Sequence, residues 1–157
     1  MRRLAWLSAV LLLVAAPVLA QPGWTRQVLE DGAVSVNLPI APTRKTSGAT
    51  TIYMAAASTD VVAMVMVMPA PEGADAKAGF DAVIEGIGPT DLISRKDLTV
   101  QGSPAMLVVA RSDDLVLHNL FVHRGERLYQ FMTGVQSGRP PPPHAKAFHA
   151  SVRFREP

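Results

Sequence analysis

The chain predicts an α+β fold, a mostly antiparallel β-sheet flanked by two helices. Three observations carry this. Apolar residues alternate with polar ones in several short runs, each closed by Gly, Pro or Asp. One stretch switches to helical period, with Phe80, Val83, Ile84 and Ile87 at i, i+3, i+4 and i+7. After Pro89 the strand-like runs return, and the last three are separated by hairpin-sized gaps, which describes a meander.

The elements follow in order. Residues 27–30 read as a short strand and Asp31-Gly32 as a hairpin turn, since Gly accepts a positive φ. Residues 33–38 place Val34, Val36 and Leu38 on one face against Ser35 and Asn37. Pro39 and Pro42 end that pairing. A strand over 50–57 carries Ile52 and Met54 on one face. Residues 61–68 are apolar throughout, as expected of a central strand covered on both sides. The helix lies within 73–88, with Asp75 as N-cap and Gly86 or Gly88 before Pro89 as its stop. Strands are expected at 93–100, 105–111, 115–122 and 128–135. Residues 138–143 form a stiff loop, and Pro140 to Pro143 make a rigid polyproline spacer or a partner ligand. A short helix over 144–151 turns Ala145 and Phe148 inward, and Val152-Arg153-Phe154 closes the chain against the sheet.

Residues 1–20 read as a signal peptide. Arg2 and Arg3 precede an apolar run over 4–14, and Val18 and Ala20 fit the −3 and −1 positions of a cleavage site. The run is shorter than the roughly 20 residues a membrane span needs. Cleavage leaves 21–157 as one domain, exported to the periplasm or the extracellular space. With no cysteine, a lipoprotein anchor, disulfides and thiol chemistry are excluded. The chain holds 15 Lys+Arg and 13 Asp+Glu. Two of the arginines belong to the signal segment, so the remainder is formally neutral and gives no case for nucleic acid or an anionic membrane.

Three segments resemble the PsbP-like (Mog/PsbP/DcrB-type) family of small secreted α/β/α sandwich proteins. They are Val34-Ser35-Val36-Asn37-Leu38-Pro39 with Pro42, Arg127-Leu128-Tyr129-Gln130-Phe131, and Ala147-Phe148-His149-Ala150-Ser151-Val152-Arg153-Phe154. In the last, Val152 stands where the family pattern has Phe. The resemblance spans most of 33–155. It implies a sheet flanked by helices, an accessory or assembly role, and no shared catalytic site.

Candidate chemistry is sparse. The chain has no G-x-S-x-G, P-loop, G-x-G-x-x-G after a strand, or H-E-x-x-H, so no enzyme activity and no cofactor are expected. A hydrolase would need dispersed residues such as Ser112, His118 and Asp91. His118 and His123 fall on opposite strand faces, and His144 and His149 lie about 140° apart on a helix, so neither is a ligand pair. His118 shares a face with Val116, Leu120 and Val122, as a core or pocket histidine. Asp113-Asp114 reads as a solvated turn. Arg124, Arg127 and Arg139 would form a basic patch if brought together. Met64, Met66 and Met68 share one strand face, joined by Met54; thioethers suit Cu(I) or fill an irregular core. Trp24 and Tyr53 are the aromatics least explained by a core. The expected function is an accessory or binding protein that presents a sheet face or loop cleft to another exported or envelope protein or to a small ligand. His118, Trp24 and Tyr53 are its candidate ligand residues. The alternatives are a copper binder on the Met strand and a hydrolase.

Overall fold

A computed structural model describes residues 23–71, 73, 75–88, 91–140 and 142–156. Residues 1–20, where a signal peptide is expected, lie outside the described residues, as does Pro141 within the proline run. Strands β1 (Thr25–Leu29) and β2 (Val34–Leu38) form a hairpin across a 3-10 turn, Glu30–Gly32. Asp31 and Gly32 both take positive φ there. A Cβ on Gly32 would meet only the Arg155 guanidinium, the movable end of a long side chain, so the turn needs glycine for its conformation.

Strands β3 (Thr43–Ser47), β4 (Thr50–Ser58) and β5 (Val61–Pro69) come next. Helix α1 (Ala76–Ile87) follows, capped by the Asp75 carboxylate accepting from the Ala78 N–H at 2.8 Å. Strands β6 (Leu92–Val100), β7 (Ser103–Ser112), β8 (Leu115–Arg124) and β9 (Arg127–Gln136) form a meander, one strand longer than the three expected. Helix α2 (His144–Ala150) and strand β10 (Arg153–Phe154) end the described chain.

All pairings are antiparallel, and the class is α+β, as expected. The strands divide into two sheets where the sequence reading placed one. A seven-stranded sheet runs β3-β4-β5-β9-β8-β7-β6, and a three-stranded sheet runs β1-β2-β10. The strand β3, absent from the sequence reading, is an outer edge whose five residues are all exposed. Lacking a buried face, it shows no apolar alternation.

The main core lies between the two sheets and α2. Val34, Val36 and Leu38 meet Val65, Phe131 and Phe148 there, all almost wholly buried. The three segments behind the family resemblance meet in this core. Tyr129 and Phe131 contact the Phe154 ring at centroid distances of 4.9 and 6.3 Å, and Phe131 contacts Phe148 at 6.3 Å. Ser151 Oγ donates to the Phe148 carbonyl (2.7 Å) and accepts from the Asn37 N–H (2.9 Å), fixing the end of α2 to β2. A second, smaller core sits beneath α1 on the other face of the large sheet, from Phe80, Met106, Phe121 and Leu128.

One bridge between the sheets uses a side chain in place of a strand. At the β6–β7 turn, Gln101 Oε1 accepts from the Phe154 N–H (2.7 Å) and its Nε2 donates to the Phe154 carbonyl (3.2 Å).

Candidate functional site

The meander and α2 leave a cleft between them. Odd- and even-numbered residues of a strand face opposite ways, so Leu98, Leu107, Leu120 and their like-facing neighbours turn toward α2. Helix α2 is anchored by Phe148 over β9, and the part of the sheet beyond it, on β6 to β8, stays uncovered. The result is a cleft of about 820 Å3. Its walls include Leu98, Val100, Leu107, Val109 and Leu120, with Ala145 from the helix. His118 and His149 supply imidazoles, while Lys96, Lys146 and Arg153 stand among its lining. Among the described residues the lining includes no Asp or Glu.

Three histidines gather on this side of the sheet. His118 lies opposite Thr133 on β9, and the Thr133 hydroxyl is hydrogen-bonded to His144 Nε2 at 2.9 Å. The His149 Nε2–H donates to the Phe131 carbonyl at 3.0 Å, an assignment fixed because a carbonyl only accepts. Although His144 and His149 leave the helix in different directions, both reach strand β9. Burial pushes the His149 imidazole down to about 4, against the upward pull of its carbonyl partner. Burial also lowers His118; burial and then the neighbouring His118 lower His144. At neutral pH the cleft therefore holds uncharged imidazoles beside cationic Lys and Arg.

The remaining candidates are placed elsewhere. Trp24 packs tilted against His144 (centroids 5.1 Å) and edge-on against Phe148 (5.9 Å), holding the N-terminal arm on α2, and is not among the residues that line the cleft. Tyr53 is buried. Its hydroxyl donates to Glu30 Oε1 (2.8 Å) and accepts from the Glu30 N–H (3.3 Å) and Arg44 Nε–H (3.4 Å). Glu30 Oε2 in turn receives Arg127 at 2.8 Å. This is a polar knot joining the hairpin turn to β3, β4 and β9. Arg124, Arg127 and Arg139 do not assemble into a patch: Arg124 lies over the Phe154 ring, Arg127 pairs with Glu30, and Arg139 pairs with Asp60.

The register separates the dispersed hydrolase residues. Ser112 pairs with Leu115 and Val109 with His118, and three positions along β7 reverse the face, so Ser112 and His118 point to opposite sides. His123 likewise faces α1, against Gly79, while His118 faces the cleft. Met64, Met66 and Met68 do share the α1 face of β5. Met68 packs into the small core under the helix, and Met64 and Met66 are half-buried beyond it. The expectation that both faces of β5 are covered therefore holds fully for Ala63, Val65 and Val67 alone. Met132, which the sequence reading did not group with these residues, joins the same face from β9. Only the strand register reveals that neighbour.

Two sheets around one core, with a helix on either side of the larger, define a PsbP-like α+β sandwich. The solution structure of cyanobacterial PsbP (CyanoP) from Synechocystis sp. PCC 6803 matches with a TM-score of 0.59 at 10% identity, over 91% of this chain and 99% of that one. A crystal structure of a Bacteroides thetaiotaomicron protein matches with a TM-score of 0.55 at 9% identity, over 85% of this chain and 49% of that one. At such identities the likeness is one of fold. No protein-family model matches the sequence, and no curated protein does. No helix among the described residues is long and apolar enough to cross a membrane.

Proposed function

We propose that this chain is an exported, non-enzymatic accessory protein that holds a ligand in the cleft between α2 and strands β6 to β8. Residues 1–20 act as a cleaved signal peptide, and 21–157 work as a single PsbP-like domain in the periplasm or outside the cell. The observation that carries the reading is the cleft itself, an apolar trough with cationic residues and no carboxylate in its described lining. An apolar wall rewards burial of hydrocarbon, at about 25 cal/mol per Å2. Lys96, Lys146 and Arg153 favour a negative end on the same ligand. A small amphipathic anion has both features, whether free or as the acidic, apolar segment of an exported partner. Catalysis is not part of the reading. His118 and His149 find no carboxylate in the described lining to orient an imidazole as general base, and Ser112 lies on the opposite face.

The test is calorimetric titration with dodecanoate and, as its uncharged counterpart, dodecanol. Dodecanoate should bind, and dodecanol should bind at least about fivefold more weakly, a difference near 1 kcal/mol. Leu107→Trp, which fills the trough, should abolish both. Binding that survives Leu107→Trp, or no binding of either probe, would sink the proposal.

A further inference from the structure

The open part of the opposite sheet face carries an arrangement that the cleft does not explain. Strands β4, β5 and β9 bring Met54, Met64 and Met132 into consecutive positions of one cross-strand row, Met54 opposite Met64 and Met64 opposite Met132. Directly opposed residues of antiparallel strands have Cβ atoms about 4.5–5.5 Å apart. Three flexible thioethers anchored at that spacing can converge on one point above Met64. Met66 stands two residues along from Met64 on the same face, opposite Ile52 and Gln130.

Core filling accounts for Met68 and Met106, which pack beneath α1. It does not account for the row. Helix α1 covers strands β7 and β8, and the row lies beyond it toward the β3 edge. Met54 is 45% exposed, and Met64 and Met132 are half-buried, so the row is open to solvent in part. The Gln130 amide, anchored by Nε2 donating to Asn119 Oδ1 (2.8 Å), also lies 3.9 Å from the Met132 sulfur and orders that side chain. Among the described residues no group of three or more His, Asp or Glu is placed to hold a metal ion, so this patch offers sulfur as its ligand type. Thioethers alone are poor ligands for Zn2+ or Ca2+ and good ones for a soft monovalent cation.

We infer that Met54, Met64 and Met132 form a surface thioether site for Cu(I). The site lies on the face of the large sheet away from the cleft, and it stands or falls independently of the ligand proposed there.

The experiment uses the chain recovered from an exporting host, titrated anaerobically with Cu(I) supplied as its weakly held acetonitrile complex. Methionine ε-methyl NMR with Ag(I) as a redox-inert analogue gives the location. Transfer of one Cu(I) per chain is expected, with Ag(I) moving the Met54, Met64 and Met132 methyl signals and leaving Met106 in place. Met64→Leu should weaken binding by at least about tenfold, because the swap conserves volume and removes the central sulfur. Met54→Leu changes the most exposed member of the row without touching the core, so its weakened binding keeps the test valid if Met64→Leu folds poorly. Met106→Leu should leave binding unchanged. Absence of Cu(I) binding from acetonitrile overturns the inference. So does binding that persists in the combined Met54→Leu, Met64→Leu, Met132→Leu chain, or Ag(I) shifts spread evenly over all methionines.

Discussion

Acid should loosen this protein through one histidine. His149 is held between α2 and β9 with its Nε2–H on the Phe131 carbonyl, and burial lowers its imidazole from 6.5 to about 4. Between those limits the unfolded chain takes up a proton that the native chain refuses, so stability is full above about pH 6.5 and declines as pH falls toward 4. The gap, at about 1.4 kcal/mol per pH unit, sets a ceiling of about 3 kcal/mol, about three-quarters of it spent by about pH 4.5. His118 and His144, both lowered chiefly by burial, push in the same direction. The assay is urea unfolding, followed by far-UV circular dichroism at about pH 7.5 and about pH 4.5, on the native sequence and on His149→Gln. Glutamine keeps a donor for the Phe131 carbonyl and does not titrate. The native chain should lose about 2–3 kcal/mol more than the variant over that interval. If the two lose stability in parallel, His149 does not titrate as its burial implies and the reasoning fails.

Three further changes test the framework. Tyr53→Phe removes the hydroxyl that gathers Glu30 and Arg44, and should cost about 1–3 kcal/mol in a urea melt because it strips partners from a half-buried carboxylate. Asp75→Ala removes the α1 cap and should cost about 1 kcal/mol, with faster amide exchange at Ala78 as the local signature. Phe148→Ala empties a site between the sheets and should cost about 3–5 kcal/mol; dodecanoate binding should go with it, because α2 forms one wall of the cleft.

What could be read in advance follows from what each signal depends on. The α1 stripe, its Asp75 cap and the alternation of Val34, Val36 and Leu38 are local patterns, and the structure keeps them. The strand β3 is invisible in sequence because Thr43-Arg44-Lys45-Thr46-Ser47 has no buried face; pairing to β4 alone makes it a strand. The small sheet is completed by β10, a two-residue strand that pairs with β2 from the far end of the chain. The same limit applies to the sites. His118 could be placed on an apolar face, but the cleft in front of it depends on where α2 lands. Met54 and Met64 could be grouped, while Met132 lies far along the chain and comes alongside only through the β5–β9 register. The three segments that resemble the PsbP-like family are legible because they are the contacts of one core. That is also why they speak of architecture and not of ligand.

The sheet borders bear on how copies of this chain meet each other. An unpaired strand edge invites another strand to add to it. Here β3 presents Arg44 and Lys45, and β6 presents Arg95, Lys96 and Asp97, so each border of the large sheet confronts a like strand with charge. At the border of the small sheet, Gln101 already occupies the N–H and carbonyl of Phe154 with its own amide. A visiting strand would have to displace a bond of 2.7 Å to pair there. The border left most inviting is β1, where Val28 is 68% exposed. Crowding or partial unfolding would therefore recruit β1 first, and a single charge at Val28 would close the last of four doors to fibrous assembly.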